Sequence, residues 1–150
     1  MKILCVIPSR IASTRLARKP LLPIQGKPMI QWVYENASRC KVLSDVVVAT
    51  DNAEIADVIH SIGGKTVMTD AAFITGSDRV AAVARKFPEM DVIINLQGDE
   101  PFIKPHMLQQ LVAPYLAGEN PDMTTLACPL NRQTEYHNAG AVKVITDLQG

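Results

Sequence analysis

Short runs of apolar, mostly β-branched residues alternate along this chain with segments of helical period, and few folds can bury such a pattern. Residues 3–7 and 46–50 are bounded by turn residues, as expected of strands covered on both faces. Residues 66–68 and 92–96 continue the series. Between them Met29, Ile30, Val33 and Tyr34 share one helical face, and Ile55, Val58, Ile59 and Ile62 share another, which Gly63 and Gly64 terminate. Residues 78–86 and 105–116 are predicted as a third and fourth helix, and residues 123–129 and 142–146 as later strands. Strand followed by helix, repeated, predicts a three-layer α/β/α, Rossmann-like architecture on a mostly parallel sheet. Its ligands belong at the carboxyl ends of the strands.

The 150 residues suit one domain, and 15 basic side chains against 15 acidic ones leave no net charge. A broadly basic nucleic-acid or membrane surface is therefore not expected, and any anion site has to be local. Cys5, Cys40 and Cys128 form an odd set without CxxC spacing, which supports neither a disulfide framework nor a zinc site. Pro8 and Arg10 interrupt the first apolar run before it reaches the ~7–15 residues of a signal-peptide core. No segment reaches the ~20 apolar residues of a membrane span. A soluble, cytoplasmic protein is the expectation.

Directly after the first predicted strand, residues 8–20 carry Arg10, Arg15, Arg18 and Lys19, together with Ser13 and Thr14. Arginine presents a two-pronged donor to phosphate oxygens, lysine a point charge and the hydroxyls further donors, a set suited to a polyphosphate. A solvated basic loop is the plainer alternative. After the fourth predicted strand comes Asn95-Leu96-Gln97-Gly98-Asp99-Glu100-Pro101, where a buried run meets a glycine and two carboxylates. Magnesium uses one or two protein carboxylates and completes its shell with water and substrate phosphates, so Asp99 suffices as a protein ligand. The competing reading is a turn with a capping acid. Other phosphate motifs fail on spacing. Gly64-Lys65-Thr66 lacks the first glycine of a P-loop, whose position Ile59 holds, and no GxGxxG follows the first strand.

Taken together, the loop of residues 8–20, Gly26-Lys27-Pro28-Met29-Ile30, Val48-Ala49-Thr50-Asp51, Gly76-Ser77-Asp78-Arg79, Leu96-Gln97-Gly98-Asp99-Glu100-Pro101 and Ala141-Val142-Lys143-Val144 resemble the 3-deoxy-manno-octulosonate cytidylyltransferases. The resemblance runs over essentially the whole chain, with the motifs in order. It implies transfer of CMP from CTP to the eight-carbon acid sugar 3-deoxy-manno-octulosonate (Kdo), with magnesium as cofactor and pyrophosphate as leaving group, for lipopolysaccharide synthesis. By position it implies that Arg10, Ser13, Arg15 and Lys19 hold the CTP phosphates. It further makes Asp99 the magnesium ligand, Lys19 and Asp99 the catalytic pair, and Arg79 and Gln97 contacts to cytidine. Nothing in the residues themselves selects cytosine or names a general base.

Two departures bear on that expectation. Ala17-Arg18 stands where the family usually has Pro-Gly, so a bulky cation replaces a flexible position, either hindering backbone approach to phosphate or adding a phosphate contact. Family members also continue beyond the position of Gly150 into a sugar-binding and dimerisation region, so residues 1–150 are expected to be the nucleotide-binding domain. Two readings compete with the Kdo enzyme: a non-catalytic nucleotide-binding remnant, and a relative using another acid sugar such as sialic acid. Self-association, as a homodimer or through an open edge at residues 142–146, or else a marginally stable monomer, is expected; the plainer alternative is that Lys143 and the final polar turn blunt the edge enough for a stable monomer. His60, His106, Cys5 and the scattered methionines are read as structural, Trp32 and Tyr34 as divided between core and interface, and His137 as a loop residue that could face a ligand but has no identifiable partner.

Overall fold

Strand β1 (Ile3–Ser9) is buried along almost its whole length and forms the axis of the molecule. The computed structural model describes residues 1–12, 16–130, 136–145 and 147. After β1 come a short 3-10 turn (Lys19–Leu21), a two-stranded hairpin β2 (Pro23–Ile24) and β3 (Lys27–Pro28), α1 (Met29–Ser38), β4 (Asp45–Thr50) and α2 (Ala53–Ser61). The order continues with β5 (Lys65–Met68), α3 (Gly76–Ala84), β6 (Val92–Asn95) and α4 (Pro105–Leu116). The main sheet has the order β5-β4-β1-β6, and every pairing within it is parallel. Parallel neighbours need crossovers, which the helices supply.

Side chains alternate across β1, and the two halves of that alternation feed two separate cores. Ile3, Cys5 and Ile7 pack with Ile30 and Val33 of α1, Ile55 and Ile59 of α2, and Leu108 and Val112 of α4. Leu4 and Val6 point the other way, onto Val80 and Val83 of α3. Helices therefore cover both faces, as the alternating sequence requires.

Local chemistry sets the element ends. Asn52 caps α2 by accepting from the Ile55 amide, and Gly63 closes that helix at a φ of 73°, where a side chain would be strained. Thr75 and Asp78 form a reciprocal capping box that starts α3 at Gly76, two residues before its predicted start. The hairpin of β2 and β3 has no counterpart in the sequence reading, because two-residue strands carry no periodicity.

Two predicted strands are absent. Residues 123–129 and 142–145 have no strand conformation, and residue 146 lies outside those described. A strand requires a neighbouring ladder as well as a favourable composition, and β6 is the last strand of the sheet among the described residues. The first of these segments is instead fastened by the Thr124 hydroxyl, which donates to the Leu111 carbonyl at 2.9 Å. Val142 and Ile145 are almost fully exposed. The open edge expected at residues 142–146 is thus corrected, over residues 142–145, to irregular surface chain.

Candidate functional site

Parallel register brings the carboxyl ends of β1, β4 and β6 to one edge: Ser9 pairs with Thr50, and Val6 with Asn95. Because β4 flanks β1 on one side and β6 on the other, the chain leaving β1 stands over the crevice where the strand order reverses, the usual ligand position in such sheets. A cleft of about 330 Å³ opens there, lined among others by Arg10, Lys19, Arg79, Gln97 and Asp99. Those are five of the expected site residues. The other two, Ser13 and Arg15, lie outside the described residues.

Lys19 opens the 3-10 turn, whose buried Pro20 anchors it to the body of the molecule. The Lys19 ammonium donates to Asp99 Oδ2 at 2.6 Å, joining the loop after β1 to the turn after β6. Both side chains keep a substantial exposed surface, so the pair faces the mouth of the cleft. Arg18 behaves differently. Its backbone takes a left-handed conformation with φ 55° and ψ 28°. Its guanidinium turns to the opposite flank, donating through Nη1 to Glu54 Oε1 at 3.0 Å and through Nη2 to Glu54 Oε2. The hydrogen bond from Arg18 holds the Glu54 carboxyl below its ordinary range and raises Arg18 correspondingly. The extra cation thus pairs with α2 and is not among the residues lining the cleft.

The floor of the cleft depends on a close backbone approach. A Cβ at position 98 would lie 2.8 Å from the Pro8 carbonyl oxygen and 3.6 Å from Ser9 Cβ, so only glycine lets the turn after β6 pass this near to β1. That approach places Asp99 over the crevice. Gln97 Nε2 donates to Asn95 Oδ1 at 3.1 Å, which orients its amide along the cleft wall. Asp99 offers hard carboxylate oxygen beside the cations of the phosphate loop, a donor set that fits magnesium bound jointly with phosphate. No cluster of three or more metal-ligating side chains exists among the described residues, so such an ion would depend on the ligand for most of its shell.

Arg79 is placed at the cleft but is committed to the protein. It is 2% exposed. Its Nη2 donates to Asp51 Oδ2 at 2.8 Å and its Nη1 to the Thr69 hydroxyl, so α3 is tied to the chain leaving β4 and β5. Asp51 and Thr69 were not among the residues expected at the site from the sequence. An acid immediately after a buried parallel strand, on the ligand-binding edge, is the signal that could have marked Asp51. Asp51 Oδ1 and Ser9 Oγ are buried without a protein partner among the described residues.

His60 Nε2 lies 2.8 Å from the Thr66 hydroxyl, His106 sits in the first turn of α4, and His137 packs edge-on against Tyr136. Trp32 Nε1 donates to the Ile24 carbonyl, and the Tyr34 hydroxyl accepts from the Lys65 amide. No described helix is long and apolar enough to cross a membrane.

Comparison with known proteins gives the arrangement a context. A family model described as cytidylyltransferase matches residues 4–150. A 3-deoxy-manno-octulosonate cytidylyltransferase of Acaryochloris marina is 51% identical over 150 residues, covering 100% of this chain and 61% of its own length. The chain thus spans about three-fifths of that relative. Among solved structures, a CMP:2-keto-3-deoxy-manno-octonic acid synthetase complexed with CTP superposes with a TM-score of 0.75 at 44% identity, over 78% of this chain and 48% of that one. A cytidylyltransferase from Leptospira borgpetersenii gives a TM-score of 0.70 at 25% identity, over 80% and 51% of the two chains.

Proposed function

Because the chain belongs to the cytidylyltransferase family, we propose that it is the nucleotide-binding portion of a 3-deoxy-manno-octulosonate cytidylyltransferase, moving CMP from CTP to Kdo in lipopolysaccharide synthesis. One observation carries the reading: Arg10, Lys19, Gln97 and Asp99, distant in sequence, line a single cleft at the carboxyl edge of the sheet. The relative solved with CTP and the Acaryochloris marina enzyme supply the substrate identity to be tested.

In this mechanism the anomeric hydroxyl of Kdo attacks the α-phosphorus of CTP. A new P–O bond forms there, the bridging bond to the β-phosphate breaks, pyrophosphate leaves with the electron pair, and the hydroxyl proton passes to solvent or to the departing pyrophosphate. No covalent enzyme intermediate is required. Arg10, Arg15 and Lys19, with Ser13, hold the phosphates and spread the charge that builds on the departing group, which is electrostatic stabilisation. Asp99 would hold magnesium, which supplies further neutralisation of phosphate charge when bound. Gln97 faces the nucleoside. Arg79 acts on it indirectly, since its guanidinium is engaged by Asp51 and Thr69.

Residues 1–150 serve in this reading as the nucleotide-binding domain, with sugar recognition assigned elsewhere in a longer protein. The setting is cytoplasmic, and the protein works as a homodimer. The exposed Phe102, Met123, Val142 and Ile145 and the outer edge of β6 are surfaces that a second copy or further chain would cover. Calorimetric titration with CTP and magnesium, followed by a pyrophosphate assay of the longer protein with Kdo and with sialic acid, tests the reading. Turnover with Kdo supports it. Binding without turnover favours a non-catalytic remnant, and turnover with sialic acid alone favours the other acid sugar.

A further inference from the structure

We propose that Arg18 and Glu54 form a strap that positions Lys19 for its ligand, a role that rests on the phosphate-binding reading of the cleft. Consecutive residues reach to opposite sides of the crevice here. Arg18 is tied to Glu54 in the first turn of α2, on the β4 side, and Lys19 to Asp99, on the β6 side. The two ties differ in what a ligand does to them. A phosphate group that takes the Lys19 ammonium, or a cation that takes Asp99, opens the second tie. The first lies outside the cleft lining and is left in place.

Arg18 is one of two described non-glycine residues with positive φ, the other being Gln25 in the β2–β3 hairpin. A side chain disfavours that backbone conformation, which persists only where the surroundings hold it. The two-pronged bond to Glu54 is the hold. An exposed ion pair is ordinarily worth little, but the fork geometry of arginine on carboxylate is the favourable exception, because it fixes direction as well as distance. The carbonyls of Arg18 and Lys19 in turn accept from the amides of Leu21 and Leu22 at 2.9 and 3.2 Å. Fixing Arg18 therefore fixes the 3-10 turn, and with it the direction in which the Lys19 side chain leaves the backbone.

Hydrogen exchange of the Leu21 and Leu22 amides reads the strap without any ligand, because exchange follows local opening. Glu54→Gln and Arg18→Ala, which remove the fork but keep a side chain at positive φ, are expected to raise both exchange rates severalfold. They should weaken CTP binding in magnesium to a similar degree. Arg18→Gly removes fork and strain together and is expected to stay near the parent in both measurements. Unchanged exchange in Glu54→Gln overturns the proposal, as does equal loss in Arg18→Gly and Arg18→Ala, which would show that the loss does not come from the left-handed backbone the fork is said to hold. If the exchange pattern appears as expected while the parent protein binds no CTP, the strap stands and the nucleotide reading falls.

Discussion

The Lys19 ammonium and Asp99 Oδ2 lie 2.6 Å apart although 80 residues separate them in the chain, so the phosphate loop and the carboxylate turn meet across the crevice beside β1. An ion pair this exposed contributes only about 0–1 kcal/mol to folding. In the proposed function its value is to place a cation and a carboxylate within reach of one polyphosphate. Asp99→Asn and Lys19→Met should each leave unfolding free energy within about 1 kcal/mol of the parent while lowering pyrophosphate release on the order of a hundredfold or more. Denaturant titration and a coupled pyrophosphate assay check the two halves. Unchanged turnover in Asp99→Asn would remove that residue from the mechanism.

The buried pair of Arg79 and Asp51 should show the reverse balance. Their side chains are 3% and 12% exposed, so Arg79→Met strands a carboxylate in the interior. A loss of about 3–5 kcal/mol in urea unfolding is expected. Arg79→Lys should recover only part of it, since an ammonium cannot reproduce the planar fork that reaches both Asp51 and Thr69. A neutral result for Arg79→Met would mean that α3 is held by its apolar face alone.

Gly98→Ala tests the floor of the cleft. The new methyl would meet the Pro8 carbonyl at 2.8 Å, a backbone atom that cannot swing away as a side chain could. Destabilisation of about 1–3 kcal/mol is expected, together with weaker CTP binding as Asp99 is carried outward. Full retention of both stability and affinity would show that the approach of the two turns is not constrained.

Thiol chemistry should separate the three cysteines. Burial pushes the Cys5 thiol up to about 12 from an ordinary 9.0, and Cys40 is also buried while Cys128 is exposed. Native protein at pH 8 should therefore react with a thiol reagent rapidly at Cys128 and slowly at the others. The linkage has a definite sign: between about pH 9 and 12 the unfolded chain loses the Cys5 proton that the folded chain keeps. Stability from this group is complete below pH 9 and declines as pH rises, by up to ~1.4 kcal/mol per unit. Replacing Cys5 with alanine should remove that part of the alkaline decline in urea unfolding.

Sequence alone determined the elements whose cause is local or periodic. The β-branched runs around Val6, Val48 and Ile94 have to be covered on both faces, and the helical faces of Ile30, Ile55 and Leu108 are the cover, so a parallel sheet between helices follows from patterning. The same edge rule pointed to Arg10, Lys19 and Asp99, because each follows a buried strand. Residues 123–129 and 142–146 show where the reasoning stops: strand-like composition does not create a neighbouring ladder. Tertiary structure decided the partnerships. Whether Arg18 hinders phosphate approach or adds a phosphate contact stayed open in the sequence until the fold brought Glu54 of α2 within its reach. Arg79, assigned to cytidine by resemblance alone, has its guanidinium held by Asp51 and Thr69, delivered by two other strands. Periodicity records which face of an element is buried. The partner of a charged side chain depends on distances between elements that are far apart in sequence, and those exist only once the strands have taken their order in the sheet.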